Sequence, residues 1–338
     1  MESYILQKEK LNNFLDLLKE YEIWAPVQKD TSTLFEVVKD FQDISLDLKH
    51  QAIISKSAVF PQTETFFTFD KNGTTVEKDP KEEKETIVFG IRPCDARSFN
   101  LLDPVFEGDF PDPYYLNRRN KAVFIGIACS EPFLNCFCTS IGGNPFSKEG
   151  LDLLFTELNG SFHIEVITEK GKKIIDKASS HFTPASAEDS KQKEQLAKTS
   201  ESKIKRQVNL DGIPEKLSAI FEHTIWKQFA SKCIGCGICT YSCPTCYCFD
   251  MQDEITAKKG RRVRVWDSCM FPEYTLHASG HNPRPTRTER LKNRIYHKFK
   301  FNIDNFGVAS CVGCGRCIAL CPVNVDLIEI LSTIKETE

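Results

Sequence analysis

Two cysteine runs restrict this chain more than any other feature: Cys233-x2-Cys236-x2-Cys239-x3-Cys243-Pro244 and, after a long insertion, Cys311-x2-Cys314-x2-Cys317-x3-Cys321-Pro322. Three closely spaced thiolates on a loop bearing glycines (Gly235 and Gly237; Gly313 and Gly315) suit three irons of a 4Fe-4S cube. In the two-cluster pattern the fourth cysteine serves the other cube. The spacing therefore predicts that the runs complete each other. Cys233, Cys236, Cys239 and Cys321 are expected around cluster one, and Cys311, Cys314, Cys317 and Cys243 around cluster two. A chain built this way is expected to carry electrons.

Paired Cys-x2-Cys spacings also suit structural zinc, which would make the chain a zinc-stapled interaction protein. Each run, however, already holds four thiolates and ends at proline, as cube-binding runs do. Cys239-x3-Cys243-x2-Cys246 has the spacing of radical enzymes that use S-adenosylmethionine, but two of its thiols are already taken by the paired runs. The 338 residues, 41% of them hydrophobic, are enough for two domains and a core that needs no disulfides. Fifteen cysteines without a secretory signal predict a reducing, cytoplasmic compartment in which thiols serve as metal ligands. No apolar stretch approaches the roughly 20 residues of a membrane span, so no span is expected. A net charge of -3 argues against a nucleic-acid partner. The 25 phenylalanines fit a dense core, with some walling the clusters from water.

Along the chain, apolar residues from Tyr4 to Leu18 recur at helical spacing and predict an opening amphipathic helix that ends before Trp24-Ala25-Pro26. Thr63 to Phe69 reads as a strand, and Asp70 to Thr74 as the turn of a hairpin. The runs Ile87–Ile91 and Ala122–Ile127 read as buried strands of an α/β sheet, with a helix from Asp95 to Leu102 between them. The polar, lysine-rich stretch 176–207 reads as exposed helix, loop or linker and places the domain boundary. One helix from Pro214 to about Ala230 is expected to lead into the first run. The resulting architecture is an α/β (α+β) domain over 1–210, followed by an α-helical ferredoxin-like dicluster domain over 211–338 with a helical insert at 249–310.

Cys94, Cys129, Cys136 and Cys138 remain in the amino-terminal half. Cys94 and Cys129 sit just past the two buried strands, and adjacent strands would bring them to one sheet edge, where α/β folds hold ligands. A third 4Fe-4S cluster is expected there, with another metal or plain buried thiols as the alternatives. Arg92, Asp95 and Arg97 flank Cys94 and are placed to adjust a potential through charge and hydrogen bonds. Cys246, Cys248 and Cys269 are left over and read as buried free thiols. His277, His281 and His297 receive no role. The basic stretch from Arg284 to Lys300 is either a solvated helix face, a surface for a partner subunit, or positive charge that compensates cluster sulfurs.

Taken together, Gly90-Ile-Arg-Pro-Cys-Asp95, Asp112-Pro-Tyr-Tyr115 with Arg118-Arg119-Asn120, Asn135-Cys-Phe-Cys138 with Gly142-Gly143, Cys243-Pro-Thr-Cys-Tyr-Cys248, Trp266-Asp-Ser-Cys-Met270, Arg294-Ile-Tyr-His-Lys298 and both cysteine runs resemble the iron-sulfur beta subunit of cytoplasmic sulfhydrogenases. They are also similar to the iron-sulfur electron-transfer subunit of anaerobic sulfite reductase. The resemblance implies a non-catalytic relay between a flavoprotein subunit that binds FAD and NAD(P)H and a terminal catalytic subunit of hydrogenase, sulfite reductase or heterodisulfide reductase type. The sequence itself shows no dinucleotide fingerprint and no nucleophile-base set, so no flavin or nucleotide is expected on this chain. A direct reductase with an open-site cluster is the alternative from another class.

Overall fold

Apolar runs too short for helices become sheet in the first of two units into which the chain divides. The computed structural model describes residues 2–30, 32–46, 54–70, 72–77 and 84–337. The first unit comprises Met1–Val59, Lys84–Gln207 and Val312–Arg316, and the second Phe60–Glu83, Val208–Cys311 and Cys317–Glu338.

The first unit is built on an eight-stranded mixed sheet of β1 (Ser3–Gln7), β2 (Glu22–Lys29), β3 (Ser32–Val37), β6 (Thr86–Ile91), β7 (Ala122–Ile127), β8 (Leu153–Glu157), β9 (Ser161–Val166) and β10 (Thr183–Pro184), in the order β10-β1-β9-β8-β7-β6-β2-β3. Its centre, β2-β6-β7-β8, is parallel, and its flanks are antiparallel. The two runs expected to be adjacent are paired, with Ile87 opposite Val123. Parallel central strands are covered on both faces, which is why β6 and β7 are nearly uninterrupted hydrophobic runs. Phe89 meets Phe155 edge-on at 5.9 Å in the core.

The opening helix is not formed as expected. Tyr4, Ile5 and Leu6 pair with β9 in β1, and only a 3-10 turn at Lys8–Lys10 and the short α1 (Leu11–Asp16) are helical. Sheet hydrogen bonds to a buried neighbour outweigh the weak helical period of so short a segment. The crossover from β6 to β7 carries α2 (Pro93–Phe106) and α3 (Pro113–Lys121), both with proline in the first turn. After β9 come α4 (Glu169–Lys177) and α5 (Ala187–Lys203). The latter is fixed at its start by a capping box in which Ser186 and Asp189 satisfy each other's amides. Much of the stretch read as exposed helix, loop or linker is therefore helix.

In the second unit, β4 (Thr63–Asp70) and β5 (Thr75–Glu77) form the expected hairpin; Lys71 of its turn lies outside the described residues. The insert, expected to be helical, opens instead with a second hairpin, β11 (Phe249–Ile255) and β12 (Lys259–Trp266). It joins the first hairpin in a sheet of order β11-β12-β4-β5. Across β11 and β12, Arg262 binds Asp253 at 2.7 Å and Arg261 binds Glu254 at 2.6 Å. The single helix expected over 214–230 is two, α6 (Ile213–Ala219) and α7 (Ile225–Ala230), separated by a bend where Trp226 Nε1 donates to the Ile220 carbonyl at 2.9 Å. Short α8 (Ile238–Tyr241) and α11 (Arg316–Ala319) follow the cysteine loops. α9 (Arg287–Tyr296), α10 (Asn302–Phe306) and α12 (Leu327–Glu336) supply the remaining helices.

The buried Arg264 guanidinium binds Glu64 at 2.6 Å and lies against the rings of Phe60, Phe66 and Phe249. Replacing Glu64 by leucine leaves that buried cation without its carboxylate and is expected to cost about 3–5 kcal/mol, read as a lower urea midpoint. The Glu64→Leu/Arg264→Met double variant should recover most of the loss.

Candidate metal centres

In the first unit the end of β6 is bent by Gly90, whose φ of 77° and shifted register mark a bulge. A Cβ there would lie 2.9 Å from Pro26. Past the bulge, Arg92 precedes α2 as its cap and Cys94 falls in the helix's first turn, while Cys129 lies two residues past the end of β7. Cys94, Cys129, Cys136 and Cys138 line one cavity of ≈ 30 Å³, together with Arg92 and Cys314. The segment carrying Cys314 is held tightly. Phe137 N donates to the Gly313 carbonyl at 2.8 Å, and the Cys136 thiol lies 3.7 Å from the Cys314 carbonyl. Arg316 binds Asp95 through two contacts, Nη1 to Oδ1 at 2.5 Å and Nη2 to Oδ2 at 2.6 Å, with both side chains buried.

The three charged residues that flank Cys94 have separate tasks. Asp95 anchors Arg316. Arg97 donates to the Ile141 carbonyl at 2.6 Å and so fixes the turn after Cys138. Arg92 stacks on Phe133 at 4.4 Å. The stretch read as a linker also contributes here. Ser200 of α5 donates to the Cys129 carbonyl at 2.6 Å, and Arg206 donates to Asn135 Oδ1 at 3.1 Å.

Burial pushes the thiol pKa values of all four amino-terminal cysteines up, Cys136 to about 12 and Cys138 to about 11. Such thiols keep their protons until a metal displaces them. The donor set is all sulfur, which suits iron-sulfur chemistry rather than hard cations.

In the second unit, Cys233, Cys236, Cys239, Cys317 and Cys321 line a second cavity of ≈ 40 Å³ with Arg294. Cys321 thus lies with the first run, while Cys314 lies at the amino-terminal cavity. Cys243 is buried, its Sγ 3.2 Å from Thr245 Oγ1, and a hydrogen bond from Cys246 sets its pKa well below the usual thiol value. Cys248 meets Cys269 and Tyr274, and the Cys269 bond lowers its pKa to about 6. Among the described residues no three His, Cys, Asp or Glu side chains close on a single ion. His277 and His281 face each other in an exposed loop.

The decisive electrostatic feature of this unit lies on α9 and the turn after it. Arg294 is buried with its Nη1 3.5 Å from Cys246 Sγ, and Lys298 is buried beside it. Among the described residues, no carboxylate pairs with either cation. Burial alone would strip their charge, yet both pKa values are raised, by Cys239 and Cys246 for Arg294 and by Cys243 and Cys246 for Lys298. Buried cations without acidic partners are tolerated only beside another source of negative charge, and the cysteine sulfurs are the one at hand. The residues present therefore fit anionic, cysteine-held clusters. The basic stretch from Arg284 to Lys300 is accordingly divided in role. Arg294 and Lys298 turn inward, and Arg287 donates to the Cys233 carbonyl at 2.7 Å.

An α/β sheet unit and a second unit of helices and a small four-stranded sheet, with sulfur-lined cavities and buried compensating cations, define an iron-sulfur electron-transfer protein. Residues 232–325 match the 4Fe-4S dicluster domain family. The chain is similar to Sulfhydrogenase 2 subunit beta of Pyrococcus furiosus, 33% identical over 334 residues that span 98% of each chain. It belongs to the family of sulfhydrogenase beta subunits. Among the described residues no helix is long and apolar enough to cross a membrane.

Two outcomes check this construction. Replacing Asp95 by leucine takes from the buried Arg316 guanidinium its carboxylate, and urea unfolding is expected to show a loss of about 3–5 kcal/mol. His297, whose Nε2 lies 2.9 Å from the Tyr247 hydroxyl, has its pKa pushed down to about 4 by burial and by Lys298 and Arg294. The unfolded chain takes up that proton near the ordinary histidine value of 6.5. This contribution is therefore whole above pH 6.5 and is lost as the pH falls from there toward 4, roughly 3 kcal/mol over the window. The ring signal that disappears in His297→Gln should not titrate between pH 7 and 5 in NMR spectra, and a midpoint near 6.5 would refute the assignment.

Proposed function

We propose that this subunit relays electrons between a partner that binds FAD and NAD(P)H and a terminal catalytic subunit of hydrogenase, sulfite reductase or heterodisulfide reductase type. The observation that carries the reading is the pair of buried cations, Arg294 and Lys298, set among cysteines with no carboxylate among the described residues to neutralise them. The sulfhydrogenase name of the relative supports a hydrogenase among the partners.

Cys233, Cys236, Cys239 and Cys321 would hold cluster one; Cys311, Cys314, Cys317 and Cys243 cluster two; and Cys94, Cys129, Cys136 and Cys138 cluster three. Bound 4Fe-4S groups supply one-electron carriers whose potentials depend on charge, hydrogen bonds to sulfur and burial. The protein's own part is to exclude water, hold the sulfurs and fix compensating charge. Arg294 and Lys298 do this in the second unit, and Arg316 with Asp95 holds the Cys314 loop in the first.

Cys236 is the one exposed cysteine of the fifteen, and Ile234 beside it is 55% exposed. That loop is where a partner's redox group would approach. Flavin and nucleotide are assigned to the partner, and the thiol-rich chain to a reducing, cytoplasmic setting. A direct reductase would need a cube short of protein ligands. The amino-terminal cavity, where Cys94, Cys129, Cys136 and Cys138 alone number four, gives that reading no support.

Iron and acid-labile sulfide on anaerobically prepared protein test the assignment. About twelve irons per chain are expected from three cubes, falling to about eight in Cys94→Ser/Cys129→Ser. Zinc in place of iron would reject it, and about eight irons in the unaltered chain would remove the third cube.

A further inference from the structure

α9 continues into a widened π turn, His297–Phe301, of a kind frequent at functional sites. Lys298 lies in this turn and is 3% exposed. Its Nζ donates to Thr245 Oγ1 at 2.9 Å and to the Ser310 carbonyl at 2.8 Å. Thr245 Oγ1 also donates to that carbonyl at 2.8 Å and lies 3.2 Å from Cys243 Sγ. The Ser310 amide in turn donates to the Lys298 carbonyl at 2.9 Å. One ammonium thus bridges the residue two past Cys243 and the residue just before Cys311. Those two cysteines come from different runs, and in the two-cluster pattern they serve the same cube.

We infer that Lys298 sets the midpoint potential of the second cluster, by holding a fixed positive charge against Cys243 and Cys311 that favours the reduced, more negative state. The inference rests on the reading that these two cysteines hold a common cube. Reduction adds one electron and one negative charge, which Lys298 stabilises more than it stabilises the oxidised state. Arg294 is nearer Cys239, Cys246 and Cys317 in its influence, whereas Lys298 is the cation whose effective partners include both Cys243 and Cys311. A bridge that served only to staple the loops would need donors but no charge. Burying an ammonium for that purpose alone would be a costly solution.

The test is redox titration of the full-length, cluster-loaded chain followed by EPR, with the second cluster's signal assigned by its disappearance in Cys311→Ser. Lys298→Met, at wild-type iron and sulfide content, is expected to lower the reduced-to-oxidised ratio of that signal at least tenfold at fixed potential, equivalent to about 59 mV for one electron. Lys298→Arg, which keeps the charge, should stay within about threefold of wild type, on the view that charge and not shape sets the value. An unchanged ratio in Lys298→Met overturns the inference, as does an equal change in Lys298→Arg. If Lys298→Met sheds iron, Lys298→Gln decides. Its amide keeps a donor toward Thr245 and Ser310 but carries no charge. A fall of about tenfold supports the inference, and an unchanged ratio overturns it. A wild-type chain with no signal for Cys311→Ser to remove overturns the cluster reading itself, an outcome distinct from a Lys298 variant that leaves an existing signal unmoved.

Discussion

Sulfur charge in a dry interior is the constraint around which this chain is arranged. The surroundings of Cys94 and Cys239 make each thiol hold its proton, because desolvation penalises the thiolate. Binding iron removes the proton and leaves negative charge behind, so a fold that buries cysteines for this purpose must bring cations in with them. The second unit does so with Arg294 and Lys298. Burying either beside nothing but apolar residues would cost several kcal/mol, more than a typical single substitution. The basic helix α9 is thus an internal counterion on one side and a solvated surface on the other.

The amino-terminal unit answers the same constraint differently. Arg316 arrives already paired with Asp95, so the pair is close to neutral and its value lies in position. A bidentate arginine-carboxylate contact fixes the segment Val312–Arg316 relative to the first turn of α2, where Cys94 sits. The bulge at Gly90 and the close packing at Gly126, where a Cβ would lie 2.6 Å from Leu151, fix the strand ends from which Cys94 and Cys129 extend. The sheet is a frame, and the cysteines occupy its edge because parallel strands end there together.

How much of this the sequence reveals depends on the kind of signal. Cysteine spacing and the buried strands β6 and β7 are local and strong, and they place Cys94 beside Cys129 without any knowledge of the fold. The β11-β12 hairpin was also legible, since Arg262, Val263, Arg264 and Val265 alternate at strand period, with Arg262 opposite Asp253 of β11. Its position between two cysteine runs made a helical insert the simpler expectation. The opening strand β1 was not legible, because its fate depends on pairing with β9 far along the chain. Nor was the task of α5 legible. Its low hydrophobicity reads as exposed helix, loop or linker, and it is the bonds from Ser200 to the Cys129 carbonyl and from Lys203 to Glu131 that show one face supporting the Cys129 loop.

The two cysteine runs are near-repeats in sequence, yet their glycines meet different surroundings. All four glycines have positive φ and serve the tight loop. At Gly313 an added Cβ would lie 2.6 Å from the Cys138 backbone, and at Gly315 2.2 Å from the Asn135 carbonyl, so each is also needed for close approach to neighbouring backbone. At Gly235 nothing lies closer than 3.7 Å, and at Gly237 the near neighbour is the Phe271 ring. One loop is enclosed by its own unit. The other leaves Ile234 and Cys236 in solvent. A repeated motif that merely held two equivalent groups would have no reason for this difference. In a relay, the enclosed loop suits an internal station, where protection from water and fixed neighbours steady the potential. The open loop suits a terminus, where a partner must come close enough to exchange an electron.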